Sequence, residues 1–347
     1  MLDHLSLIST SSSKLAKKLY AGELTEKEVK QLPAQVVYMA LKTLGLDSAQ
    51  DIISTLTEHQ YQVILDFEFW SGDKINEANI WNWLTVIDDA GIEQLGTFTE
   101  RIDQNILVLL VGKYVQSVVN ETNDGPSPYP GGYTPDNGYT WINIDTGNEN
   151  NNHRLKKLLE YIVGTDPDYF YQLLYMPKTC TPSELEEESF GEKSKRLTSE
   201  GIPELDVVFK MNAPLNIDHA KLMLKQSGAE HGAEYTFIQR TPYPISKGAY
   251  SAEPLRSFLR SVVQDNPELI LDIEYEFAGL INAAIMFYKI DFSDLDQVQK
   301  LIEKVKETVN AGLDKVMAAV QETNYDAIYK QIGIQNLYRL GLAVKPA

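Results

Sequence analysis

Apolar residues recur three and four positions apart through most of the chain, the period of a helix with one buried face. In 33–45, PAQVVYMALKTLG, they stand at 36, 37, 40, 41 and 44, and the run stops at a glycine. Thr57 and Gln60 have capping-box spacing ahead of the stripe Tyr61, Ile64, Leu65. Asp103 precedes QNILVLLVGKYV, which is apolar almost all round and so predicts a deeply buried helix. Asp166-Pro167 opens DYFYQLLYM with proline at the first helical position. Thr181-Pro182-Ser183-Glu184 opens a helix whose acids come first and bases last, with Gly201 and Pro203 at its end. From Ser251 onward long helices follow, including 294–320.

Aligned from positions 33, 57, 103 and 166, four segments carry apolar residues at offsets of 4, 7 and 8. The first three starts lie 24 and 46 apart, close to one and two units of about 23, and Asn79 would fill the gap. This spacing predicts an array of short helices. Two runs alternate as strands do, YTWINID (139–145) and EYTFIQR (234–240), which form either one small sheet or two isolated hairpins. Residues 121–152 are dominated by Gly, Pro, Asn and Asp, and a loop this long is functional or a linker. The expected fold is mainly α, a multi-helical bundle or superhelix with at most a small two-stranded β element. Its expected divisions are an N-terminal helical array (1–120), the Gly/Pro/Asn-rich insertion (121–152) and a C-terminal helical domain (153–347).

Charge narrows the function classes. Forty-nine acids against 31 bases leave a net charge of −18 over 347 residues, a field that repels nucleic acid and anionic membrane surfaces. The most apolar stretch, 277–288, is twelve residues long, too short to insert across a membrane. The first residues lack a basic region ahead of an apolar core, as a signal peptide would have, and the one cysteine, Cys180, suits a reducing compartment. A cytoplasmic protein is expected. The HExxH, GxxxxGK[ST], GxGxxG and GxSxG motifs are missing, and no histidine has a glutamate three positions before it, so no metal or cofactor is expected.

Three groups of residues remain as candidates. In DFEFWSGDKINEANIWNWL (66–84), Asp66, Glu68 and Asp73 stand beside Trp70. A packing reading puts the tryptophans at a tight helix elbow, closes the first helix at Gly72, caps the next with Asp73 and leaves Asp66 and Glu68 solvated. The functional reading makes the three acids ligands of a hard cation, although their spacing fits no calcium loop. Asp88 with Asp89, and Asp272 with Glu276, are lesser carboxylate pairs. The second group is a buried polar network of Arg196, Glu276, Asn282 and Arg339, in which Glu276 is expected to pair with at least one arginine because a buried charge needs a partner. The third is a contact loop with Tyr129, Tyr133, Tyr139 and Trp141 amid Gly and Pro.

Five segments in this order, HQYQVILDFEFWSGD, RLTSEGIP, EFAGLIN, NAGL and LYRLG, resemble an uncharacterised bacterial family, domain of unknown function six-one-seven-eight. The chain departs from that family at His59, where glutamate is usual. The resemblance implies a mainly helical cytoplasmic protein and supplies no activity or catalytic residue. The capped helices also look like the N-terminal superhelices of magnesium transporters and flagellar rotor proteins, which serve as interaction and regulatory modules. A protein-interaction or scaffold module is therefore the expected function, with a partner that is basic or docks as a helix. The alternatives are a carboxylate enzyme using a divalent ion, and a small-molecule binder in a cleft between domains.

Overall fold

The computed structural model describes residues 17–19, 21–48, 50–120, 127–225, 253–265, 269–291, 294–320 and 324–344. In these residues the chain is mainly helical, with two antiparallel two-stranded sheets. It divides into two compact units. The run 234–240 lies outside the described residues.

The N-terminal unit comprises Leu19–Ala34 and Leu44–Lys195. It contains α1 (Glu26–Gln31), while α2 (Ala34–Leu44) contributes Gln35–Thr43 to the other unit. It continues through α3 (Gln50–Thr55), α4 (Glu58–Phe69), the hairpin of β1 (Trp70–Ser71) and β2 (Lys74–Ile75), α5 (Glu77–Ala90), α6 (Ile92–Arg101) and α7 (Gln104–Tyr114). Then come β3 (Val115–Val119), β4 (Thr140–Ile144), α8 (Glu149–Thr165), α9 (Pro167–Thr179) and α10 (Pro182–Ser199), of which Arg196 onward belongs to the second unit.

Polar side chains start these helices where the sequence predicts. Thr57 and Gln60 form the reciprocal capping box of α4, and the Gln60 amide also donates to the carbonyls of Val29 (2.9 Å) and Leu32 (2.8 Å) at the end of α1. Asp103, Asp166 and Thr181 cap α7, α9 and α10. The core is aromatic at the α4–α5 elbow: Trp83 is fully buried edge-on to Tyr61 and Phe69.

The structure differs from expectation twice in this unit. α4 ends at Phe69 and the chain turns back as the β1–β2 hairpin, with Gly72 at φ +67. Asn76, rather than Asp73 or Asn79, then caps α5. The second difference is an additional strand: β4 lies within the expected strand 139–145 and pairs with β3, where no strand was expected.

The C-terminal unit comprises Gln35–Thr43 and the described residues of Met1–Lys18 and Arg196–Ala347. Its helices are α11 (Leu205–Met211), α12 (Ile217–Lys225), α13 (Leu255–Asp265), α14 (Leu269–Phe287), α15 (Leu295–Val320) and α16 (Tyr325–Leu342). α15 and α16 cross at two glycines. A Cβ on Gly312 would lie 1.8 Å from the Leu337 carbonyl oxygen, and one on Gly341 equally close to that of Thr308. α16 is broken at Gly333, whose φ of 69 and ψ of 169 are not helical.

Candidate functional site

The first candidate group packs around Lys193, a residue not among those expected there. Asp66 and Glu68 are buried, 5% and 3% exposed, not solvated. Trp83 donates its indole N–H to Glu68 Oε2 at 3.3 Å. Trp70 packs edge-on against Phe190 of α10, and the Nζ of buried Lys193 lies 5.0 Å from the first ring and 4.8 Å from the second. Lys193 also donates to the Gly72 carbonyl at 2.8 Å, which pins the hairpin turn. Burial pushes its ammonium pKa down to about 8, against the opposing pull of Asp66 and Asp73. Asp73 itself is exposed in the turn. Among the described residues no three His, Cys, Asp or Glu side chains gather as a metal site would require. Only the three-residue step from Phe190 to Lys193 hinted at this contact.

The expected polar network is divided in the C-terminal unit. Glu276 accepts the Ile334 N–H (3.0 Å) and the Tyr329 hydroxyl (3.3 Å), and meets neither Arg196 nor Arg339. Ile334 follows the break at Gly333, so the carboxylate takes an N–H that the kink has freed from its helix. Burial pushes the Glu276 carboxyl up to about 7; the two hydrogen bonds pull it down and Asp272 adds to the rise. Arg339 instead donates to the Ala213 carbonyl (3.1 Å) and to Asn336 Oδ1 (3.2 Å). Asn282, fully buried on α14, donates to the Gly201 carbonyl at 3.0 Å.

The third group forms a constructed surface in the N-terminal unit. β3 and β4 pair from Val115 with Ile144 to Val119 with Thr140. Ile142 and Thr140 face inward and are buried, whereas the opposite face presents Val118, Tyr139 and half-exposed Trp141. The loop that precedes β4 is tightly tied. Tyr133 exchanges both backbone hydrogen bonds with Ile142, at 2.9 and 2.8 Å. Asp136 accepts the Thr140 N–H (2.6 Å), the Thr134 hydroxyl (3.2 Å) and the Tyr171 hydroxyl of α9 (2.8 Å). Burial raises the Asp136 pKa, but the bonds from Thr140, Tyr171 and Thr134 outweigh it and hold the carboxyl below its usual range. One and two turns further along α9, Tyr175 stands 65% exposed and Lys178 reaches Ser117 Oγ at 3.2 Å. Tyr129 braces the loop through its carbonyl, which accepts the Ser127 hydroxyl and the Gly132 N–H.

A cavity of about 360 Å³ lies in the same unit, lined by Ile80, Ile106, Leu110, Pro177, Cys180 and Leu185 among others. Gly112 sits where a Cβ would come within 2.8 Å of Pro177. At the rim, Glu77 accepts from Lys113 (2.5 Å) and the Tyr114 hydroxyl (2.6 Å). Burial opposes those bonds, yet they keep the Glu77 carboxyl below its ordinary value.

These features define a mainly helical protein that carries a small, partly exposed sheet beside α9. The profile of the Family of unknown function (DUF6178) matches residues 4–344, and the chain belongs to that family. No curated protein and no solved structure matches it. No described helix is long and apolar enough to cross a membrane.

Proposed function

We propose that the protein is a non-enzymatic interaction module that holds a partner protein against the side chains exposed along the β3–β4 sheet and the neighbouring α9. The observation that carries this reading is an apolar surface displayed on a rigid frame. Val119 (66% exposed), Tyr139 (47%) and Tyr175 stand in solvent beside a loop whose own polar groups are occupied by Tyr133, Asp136 and Tyr171. Tyrosine on a preorganised support gives large contact area at small entropic cost, the composition of binding hot spots. Full-length protein carrying a photo-crosslinker at Gln116 should trap a partner in cells of its source. Tyr139→Ser with Tyr175→Ser should weaken that capture at least about tenfold, while Glu186→Gln leaves it unchanged. Equal capture by the tyrosine variant would remove this reading.

The cavity beside Pro177 favours a second reading, a binder of a small apolar molecule, since its volume is within the roughly 300–1,000 Å³ of ligand pockets. A saturable thermal shift with an apolar fragment, lost in Ile80→Trp, would support it.

A further inference from the structure

We propose that β3 accepts an extended segment of a partner protein as a third strand, and that this segment carries a single carboxylate for the ammonium of Lys178. The inference rests on the interaction reading above and names the partner's chemistry. Along an antiparallel pair, backbone groups point alternately toward the neighbour and away from it. Asn120 donates to the Tyr139 carbonyl and Asp145 to that of Tyr114, which fixes the inward positions of β3 as 114, 116, 118 and 120. Ser117 and Val119 therefore turn their N–H and carbonyl groups outward, as their partners Ile142 and Thr140 do on the other edge.

The two edges have been treated differently. On β4, Tyr133 takes both groups of Ile142 and Asp136 takes the N–H of Thr140, so the middle of that edge is covered. On β3, among the described residues, no donor or acceptor meets the Ser117 N–H or either outward group of Val119. Only the Ser117 carbonyl is approached, by Lys178 Nζ at 3.5 Å. An open edge of this kind adds strands, with main-chain bonds supplying affinity and side chains supplying choice.

Charge selects the occupant. A second copy pairing through the same edge would bring two Lys178 ammonium groups together, which opposes self-pairing. A strand with a carboxylate near Ser117 would meet that ammonium instead. The net charge of −18 repels a segment with many acids, so one carboxylate in an otherwise uncharged, β-branched run is the best match. Val118 and Trp141 offer the neighbouring apolar contacts.

A set of capped hexapeptides alternating valine with threonine, isoleucine or tyrosine, each with one central Glu, Gln or Lys, is titrated into the full-length protein by calorimetry. The Glu peptides should bind at least about tenfold tighter than the Lys peptides at low salt, and Lys178→Glu should invert that order. Ser117→Pro removes an outward N–H without touching the β3–β4 ladder, and should abolish binding of every peptide. Peptides N-methylated on the side facing β3 should not bind the wild type, a control that leaves the protein unaltered. The proposal is overturned if no peptide binds, if N-methylated and unmodified peptides bind alike, or if Lys178→Glu leaves the order as it was. Lys178 would then only guard the edge against pairing. Continued loss of the crosslinked partner in the tyrosine variant, with no peptide bound, would leave the interaction reading standing and this one fallen.

Discussion

Partly buried Glu276 and buried Lys193 pull stability in opposite directions with pH. Glu276 titrates near 7 when folded against 4.5 unfolded, so its stabilising, protonated form is complete below about 4.5 and lost as pH rises to 7. Glu276→Gln should match wild type at pH 4 and exceed it at pH 8 by up to about 3 kcal/mol in urea unfolding. Lys193 runs the other way. Its folded pKa of about 8 is depressed from 10.5, so stability rises between those values as the folded state releases its proton first. The wild type should gain on Lys193→Met by up to about 3 kcal/mol between pH 7 and 10.5, and a constant difference would mean the ammonium is not desolvated. The sequence supplied the need for partners but not their identity. Burial of Glu276 follows from FAGLIN beside it, yet an N–H freed by a kink 58 positions away leaves no mark in local pattern.

Helix starts were the most legible elements, because a cap is a local bargain between a side chain and the next turn. Thr57, Asp103, Asp166 and Thr181 all lie where their spacing predicts. The hairpins were legible only in the alternating run 139–145, which holds β4. Val115–Val119 continues an apolar helical run without a break, and only the pairing with Thr140–Ile144 makes it a strand. Close helix crossing is equally silent, since a glycine suited to it looks like any other. Gly341→Ala should destabilise the α15–α16 crossing severely, by more than about 3 kcal/mol, because backbone rather than a flexible side chain stands at 1.8 Å. Gly191→Ala, in open space within α10, should instead add about 0.5–1 kcal/mol. Differential scanning calorimetry on the two variants separates these outcomes.

Across the molecule, the motifs that carry the family resemblance take structural parts. Gln60 closes α1, Asn282 joins EFAGLIN to RLTSEGIP at Gly201, and the glycines of NAGL and LYRLG let two helices meet. The surface proposed for a partner lies outside these motifs. It was nevertheless legible in outline, since Tyr139 and Trp141 in an alternating run beside a Gly- and Pro-rich loop marked it, while Val119, Tyr175 and Lys178 depended on the register and on α9.

The brace formed by Tyr133 and Asp136 has a consequence for the valence of the molecule. With the middle of β4 covered and β3 taking one strand as proposed, the sheet would be monofunctional in the polymer chemist's sense: one bond through β3 would end the reaction. Asp136→Ala frees the Thr140 N–H and the Tyr171 hydroxyl and loosens the loop over Ile142, which turns a chain stopper into a bifunctional monomer. Concentrated Asp136→Ala protein should then grow linear oligomers, seen as a light-scattering mass that climbs with time. Wild type should hold a constant mass, and a flat trace for the variant would mean that the second end stays capped.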